Sequence, residues 1–249
     1  MKPETRDRLK RFIADFVRRK LKPLQNISVT ELRRAYPFHD LFFRDDALLA
    51  FKLQRSIVTS LGLGFYAQVA KIIGSERFAV SRIGQDINCD LPGNTCNTIE
   101  RIVTELRLGQ RKPSHQEELK EILSSTDGEM RSVPIRADLY LDGGPTGPLF
   151  LELKSPKPNL DVCPESKRKM LYFIAFARRQ NLGEAQAFLA LYYNPYFPKT
   201  YSWRFTTQVL DMNSEVLIGE NFWDTVGGAS TYEELLDVLA EVKQELRPQ

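Results

Sequence analysis

Apolar side chains recur along this chain at two spacings, and the places where one spacing gives way to the other outline its elements. Between Glu4 and Lys20, Leu9, Phe12, Ile13, Phe16 and Val17 fall three and four residues apart, which predicts an amphipathic helix that Pro23 ends. Its other positions carry Arg6, Arg8, Lys10, Arg11, Arg18 and Arg19, a solvated basic face. Arg33 to Phe43 mixes aromatics with charges and reads as a short packed connection. A second helical stretch covers Asp46 to Ile73, interrupted near Gly62 and Gly64. Arg77 to Ile83 predicts a strand, and Gly84 to Thr95, rich in Asp, Asn, Gly and Pro, predicts a loop. Asn97 or Thr98 caps a helix to about Leu108, with Ile99, Ile102, Val103 and Leu106 turned inward. Ser114 to Leu123 is a further short helix, with Glu117 at the capping-box position.

From Pro134 the period changes to two. Ile135, Ala137, Leu139 and Leu141 share one face of a strand, leaving Arg136, Asp138, Tyr140 and Asp142 on the other. Gly143-Gly144-Pro145-Thr146-Gly147-Pro148 is turn chemistry, and a second strand follows. There Leu149, Leu151 and Leu153 alternate with Phe150, Glu152 and Lys154. Pro164 to Arg179 returns to helical spacing, with Met170, Leu171, Phe173, Ile174 and Phe176 on its buried side. Ala185 to Tyr193 is apolar enough for a buried strand, so strand, helix and strand predict a right-handed crossover and parallel pairing. Asn194 to Arg204 is a proline-broken loop, and Glu215 to Ile218 one more strand. Phe222, Trp223 and Gly227-Gly228 read as a packed turn, and Thr231 caps a closing helix to about Leu246. The order predicts an α/β sandwich with a mixed sheet: a helical amino-terminal region over 1–75, and 76–249 as the core with its C-terminal helix.

The hairpin carries the chemistry. Strands pairing symmetrically about Pro145 bring Asp138 opposite Glu152, since 138 and 152 sum to twice 145. Two carboxylates that close repel unless a cation lies between them, which makes the pair a natural divalent-metal site. With no His or Cys beside them, the oxygen ligands favour Mg²⁺, with Mn²⁺ able to substitute. Lys154 reaches the same space, where an ammonium can orient a water or neutralise charge building on a phosphate. An exposed edge hairpin with an ordinary Glu-x-Lys ion pair fits the same spacing.

Composition narrows the classes. The chain has 249 residues, 42% hydrophobic and 27% charged, with a net charge of +3 that permits a nucleic-acid partner without requiring one. Cys89, Cys96 and Cys163 lack CxxC spacing, so neither a disulfide framework nor a zinc site is expected, and a reducing cytoplasm fits. His39 and His115 are the two histidines, which leaves little room for a His-based hydrolase. The opening MKPETRDRLKRF is charged and predicts no signal peptide, and no apolar run has the length of a membrane span. Lys167, Arg168 and Lys169, near a helix N-terminus and close behind Lys157 and Asn159, are candidates for phosphate contact. Lys199 and Arg204, interleaved with aromatics, are candidates for reaching a DNA groove. Glu100 and Glu105 flank the apolar stripe of their helix on opposite sides.

Asp138, thirteen intervening residues, then Glu152-Leu153-Lys154 resembles the PD-(D/E)XK nuclease signature, with Ala137 where that signature has proline. The continuation Ser155-Pro156-Lys157-Pro158-Asn159 resembles the TdeIII-like type II restriction endonucleases, a group that includes enzymes cutting at GGNCC. Asn194-Pro195-Tyr196, the run from Ile218-Gly219 to Gly227-Gly228, Tyr232 to Leu236, Pro37-Phe38-His39 and Thr59 to Gly62 also look like that family. The resemblance implies a restriction-endonuclease-like α/β/α core, metal ligands Asp138 and Glu152, catalytic Lys154, and Mg²⁺-dependent cleavage of double-stranded DNA. It also implies a homodimer acting on a palindrome, a cognate DNA methyltransferase in the same system, and a further metal-side glutamate for which Glu100 and Glu105 are the candidates. A repair or nicking nuclease on the same core, or a non-cleaving DNA-binding relative, is the alternative.

Overall fold

A computed structural model describes residues 1–21 and 28–246. The proline expected to stop the first helix, Pro23, lies outside the described residues. Among the described residues, 67–233 make one compact unit, and 2–21, 28–66 and 234–246 make another. This division differs from the boundary expected at 75/76 and groups residues 234–246 with the amino-terminal helices.

The helical unit contains α1 (Pro3–Leu21), α2 (Val29–Ala35), α3 (Pro37–Asp40) and α4 (Asp45–Ser60), the last running into a wide turn at Leu61–Phe65. Gly64 adopts φ 155° there, which breaks the helix where the glycines predicted an interruption. Arg6 and Lys10 of α1 pair with Glu241, and Lys10 with Glu245, which groups the C-terminal segment with these helices.

The other unit is built on a five-stranded sheet in the order β1-β2-β3-β4-β5. It comprises α5 (Tyr66–Gly74), β1 (Val80–Pro92), α6 (Gly93–Arg107), α7 (His115–Ser124), β2 (Met130–Asp142) and β3 (Leu149–Lys154). Then come α8 (Val162–Arg179), β4 (Gln186–Leu191), α9 (Arg204–Val209), β5 (Val216–Ile218), α10 (Glu220–Gly227) and the start of α11 (Thr231–Leu246). β1, β2 and β3 pair antiparallel, whereas β3, β4 and β5 pair parallel through crossover connections. The sheet is therefore mixed, as the order of elements predicted. On one face α8 covers the hairpin: Phe173 stacks on Phe150 at 5.0 Å and meets Tyr140 edge-on at 6.3 Å. Ile99, Ile102 and Leu106 of α6 join the same cluster. Opposite it, Gly74 of α5 abuts Leu141, and a Cβ there would come within 2.9 Å of that side chain.

Three local expectations are corrected. The segment 84–92 is strand, not loop: Ile87, Cys89 and Leu91 turn inward while Asp86, Asn88 and Asp90 stay exposed, an alternation that β2 completes. α6 accordingly starts at Gly93. Residues 220–227 form α10 rather than a turn, with Phe222, Trp223 and Val226 buried at helical spacing. At the start of α7 it is Glu118, not Glu117, that returns to accept the Ser114 N–H, at 3.1 Å.

Candidate active site

The turn at 143–148 sets a register in which Leu139 faces Leu151 and Leu141 faces Leu149, so continuing the ladder places Asp138 opposite Glu152. This is the symmetry about Pro145 expected from the hairpin. On β1 the flanking pairs put Gly84 opposite Asp138, and there the ladder skips a position and Gly84 adopts φ +66°. Across that break the apolar positions change partners: Ile135 and Ala137 join the α6/α8 cluster, while Leu141 reaches α5. Asp138 is the residue at the break.

Three charged groups of the hairpin converge. Lys154 donates to Asp138 Oδ2 at 2.6 Å and lies 3.1 Å from Glu152 Oε2. The Leu153 backbone N–H also donates to Asp138 Oδ2, at 2.9 Å, which fixes the carboxylate across the strand gap. A fourth group arrives from α8: Lys169 Nζ sits 3.2 and 3.3 Å from the two oxygens of Glu152 and 3.4 Å from the Arg136 carbonyl. Glu152 is 1% exposed, whereas Asp138 keeps 35% and Lys154 24%, so the site opens on the Asp138 side. Burial pushes the Glu152 carboxyl above its ordinary value, and the Asp138 charge adds to this against the pull of Lys154 and Lys169. For Lys154, burial alone would lower the ammonium, but Glu152 and Asp138 outweigh it and hold the pKa above the usual lysine range.

A divalent cation fits these donors. Two carboxylates already converge on one cationic nitrogen, and all the donor atoms are oxygens, the set preferred by Mg²⁺ and Mn²⁺. Among the described residues no cluster of three or more His, Cys, Asp or Glu side chains is placed to hold a metal, so an ion at this pair would complete its shell from water or substrate. Glu100 accepts from Tyr172 at 2.9 Å and stands 3.7 Å from Arg168. Glu105 is engaged by Arg101 and Arg111.

The expected phosphate-binding residues fall into different roles. Lys157 is exposed and lies over two rings, 4.8 Å from that of Tyr196 and 5.6 Å from that of Trp203. Trp203 Nε1 donates to the Pro158 carbonyl at 2.7 Å and Tyr201 to that of Pro156 at 2.8 Å, so the loop after β4 clasps the segment after Lys154. Asn159 is exposed, and its carbonyl receives the Val162 N–H at the start of α8. Lys199 and Arg204 are exposed, Arg204 lying 4.7 Å from the ring of Phe205. Arg168 is held by Glu165 at 2.7 Å.

Lys167 corrects the expectation of phosphate contact: it is 0% exposed and cannot reach DNA from there. Its ammonium donates to both oxygens of Glu215 at 2.5 Å and also touches Glu118. His115 Nδ1 lies 2.9 Å from Glu215 Oε1, and the Asp211 N–H donates to Glu215 Oε2. Burial raises Glu118 and the Glu215 charge adds to this, against the pull of Lys167. Burial would raise Glu215 as well, but Lys167 and His115 overcome it and hold that carboxyl below its ordinary value. Nothing local announced this cluster, because its members lie far apart in the chain. For Lys169 the spacing shows only that it lies four residues before Phe173, on that side of the helix; its partner Glu152 follows from the packing of Phe173 on Phe150.

The comparisons with known proteins settle the class. The family described as "Type II restriction endonuclease, HinfI" matches residues 1–243. This chain belongs to that family. It is 29% identical over 258 aligned positions to the type II restriction enzyme HgiCII of Herpetosiphon aurantiacus, covering 96% of this chain and 94% of that protein. To the type II restriction enzyme HgiEI of the same organism it is 28% identical over 258 positions, covering 96% of this chain and 93% of that protein. To MjaII of Methanocaldococcus jannaschii it is 24% over 238 positions, covering 84% of this chain and 63% of that enzyme. No solved structure matches. Members of the family are site-specific deoxyribonucleases that act on double-stranded DNA and generally use a divalent metal. The five-stranded mixed sheet with its helices is consistent with a restriction-endonuclease-like fold. No helix among the described residues is long and apolar enough to cross a membrane.

Proposed function

We propose that this restriction endonuclease cuts both strands of a short DNA target as a two-fold homodimer, with Mg²⁺ held by Asp138 and Glu152 and with Lys154 as the catalytic lysine. One observation carries the reading: the register of a single hairpin brings two carboxylates and one ammonium together at 2.6 and 3.1 Å, with one side open. When bound, the metal supplies Lewis-acid stabilisation of charge on the phosphate and on the attacking oxygen. Asp138 and Glu152 would hold it, the Leu153 N–H keeping Asp138 aimed, and Lys154 would orient the water and offset negative charge on the phosphoryl oxygens. The water gives up a proton to solvent as its oxygen bonds to phosphorus, the bond to one sugar oxygen breaks, and that oxygen takes up a proton from solvent.

The exposed cations Lys157, Asn159's neighbour on the same segment, and Lys199 and Arg204 on the clasping loop would meet the DNA, with Asn159 itself and Arg168 at the rim. A palindrome cut on both strands calls for one site per subunit and two-fold symmetry. Such an enzyme would cut its own chromosome, so a methyltransferase for the same target belongs to the system. The three free, buried cysteines suit a reducing cytoplasm. The test is incubation of purified protein with Mg²⁺ and an unmethylated plasmid of known sequence, followed by sequencing of the ends. Discrete fragments sharing one short sequence are expected, GGNCC being the first candidate. Nicks, a smear, or binding without cutting would favour a repair nuclease or a non-cleaving relative.

A further inference from the structure

Asp138, Lys154, Glu152 and Lys169 form a chain of alternating charge, and its last member lies outside the Asp…Glu-x-Lys pattern. Lys169 comes from the crossover helix and reaches both oxygens of Glu152, at 3.2 and 3.3 Å. Its position is well supported, because Phe173 one turn on is stacked against Phe150 and the ammonium also contacts the Arg136 carbonyl. With Lys154 alone the two carboxylates would keep one net negative charge; with Lys169 the four groups sum to zero. Glu152 is 1% exposed, so water screens little of the effect of that second ammonium. A divalent ion approaching Glu152 must compete with a cation that the fold already keeps there.

Resting on the reading of Asp138 and Glu152 as metal ligands, we propose that Lys169 is a resident counter-ion at Glu152 that weakens divalent binding by the DNA-free enzyme. It acts through Glu152 and is a positioning residue, not a catalytic one. A plain structural role in holding Glu152 predicts the opposite sign, since loss of the tether would loosen metal binding.

The experiment measures free Mn²⁺ by electron paramagnetic resonance against DNA-free protein, with circular dichroism to confirm the fold. Lys169→Met should lower the Mn²⁺ dissociation constant at least tenfold, and Lys169→Arg, which keeps the charge, should stay within twofold of wild type. Lys169→Gln provides the same reading if the Met variant does not fold. Unchanged or weaker Mn²⁺ binding in the charge-removing variants overturns the proposal. Asp138→Asn and Glu152→Gln separate the two layers. If they abolish wild-type binding while Lys169→Met changes nothing, the counter-ion role alone fails. If wild-type Mn²⁺ binding ignores both acid substitutions, the metal-site reading fails and the role of Lys169 goes with it.

Discussion

Two lysines of α8, two residues apart, each meet buried carboxylates, and they end in opposite circumstances. Lys167 is enclosed between α7 and β5 with Glu118 and Glu215, and no part of it reaches solvent. Lys169, on the other side of the helix, joins Glu152 in a cluster whose Asp138 end is open. Both clusters set carboxylates against lysine, yet only in the second is the lysine-paired carboxylate open to a substrate. A closed cluster can hold α8 against its neighbours, but it has no room for chemistry. Access, rather than the presence of paired acids and amines, separates the two.

Four substitutions test that separation. Lys154→Ala should have the largest effect, a loss of about 10³-fold in cleavage rate with DNA binding and stability nearly unchanged. Plasmid cleavage beside a gel-shift titration reads it, and strong residual cutting would remove the lysine from the mechanism. Lys167→Met should do the converse, lowering unfolding free energy by about 3–5 kcal/mol because two carboxylates lose their buried partner. Denaturant unfolding measures this, and a variant of full stability but impaired cleavage would mean the closed cluster belongs to the active site after all.

The third concerns pH. Glu215 is held below its ordinary value in the folded chain, so its contribution to stability is present above the unfolded carboxylate range and is lost as pH falls through the lower folded value. Glu215→Gln should therefore be less stable than wild type near neutrality and show a flatter loss of stability in acid. Unfolding curves across the acid range decide it; parallel curves would show that Glu215 is not the group responsible. The smallest effect is expected for Lys157→Met on the exposed surface, where the logarithmic salt dependence of DNA affinity should drop by about one unit with stability retained. An unchanged slope would leave Lys157 as a cation packed on Tyr196 and Trp203 and nothing more.

Much of the sheet unit was legible because its signals are local. The 143–148 turn is short, so the pairing of Asp138 with Glu152 follows from counting residues, and the register agrees. The crossover from β3 through α8 to β4 follows from an apolar strand, an amphipathic helix and another apolar strand. The first residues of β1 were expected as strand, but its continuation over 84–92 was missed although Ile87, Cys89 and Leu91 alternate with Asp86, Asn88 and Asp90, since the polar composition reads as turn until β2 supplies a partner. Phe222, Trp223 and Val226 carried helical spacing too, but too few residues to stand without the surroundings that bury them.

From its residues alone, then, the chain determined which strands form the hairpin, which acids face each other across it, and which lysine accompanies them. These depend on alternation and on one tight turn, which act over a few residues. The fate of Lys167 and Lys169 was decided only by tertiary packing. On a helix, positions two apart point to nearly opposite sides, and what waits on each side comes from β3, α7 and β5, segments brought there by the whole fold.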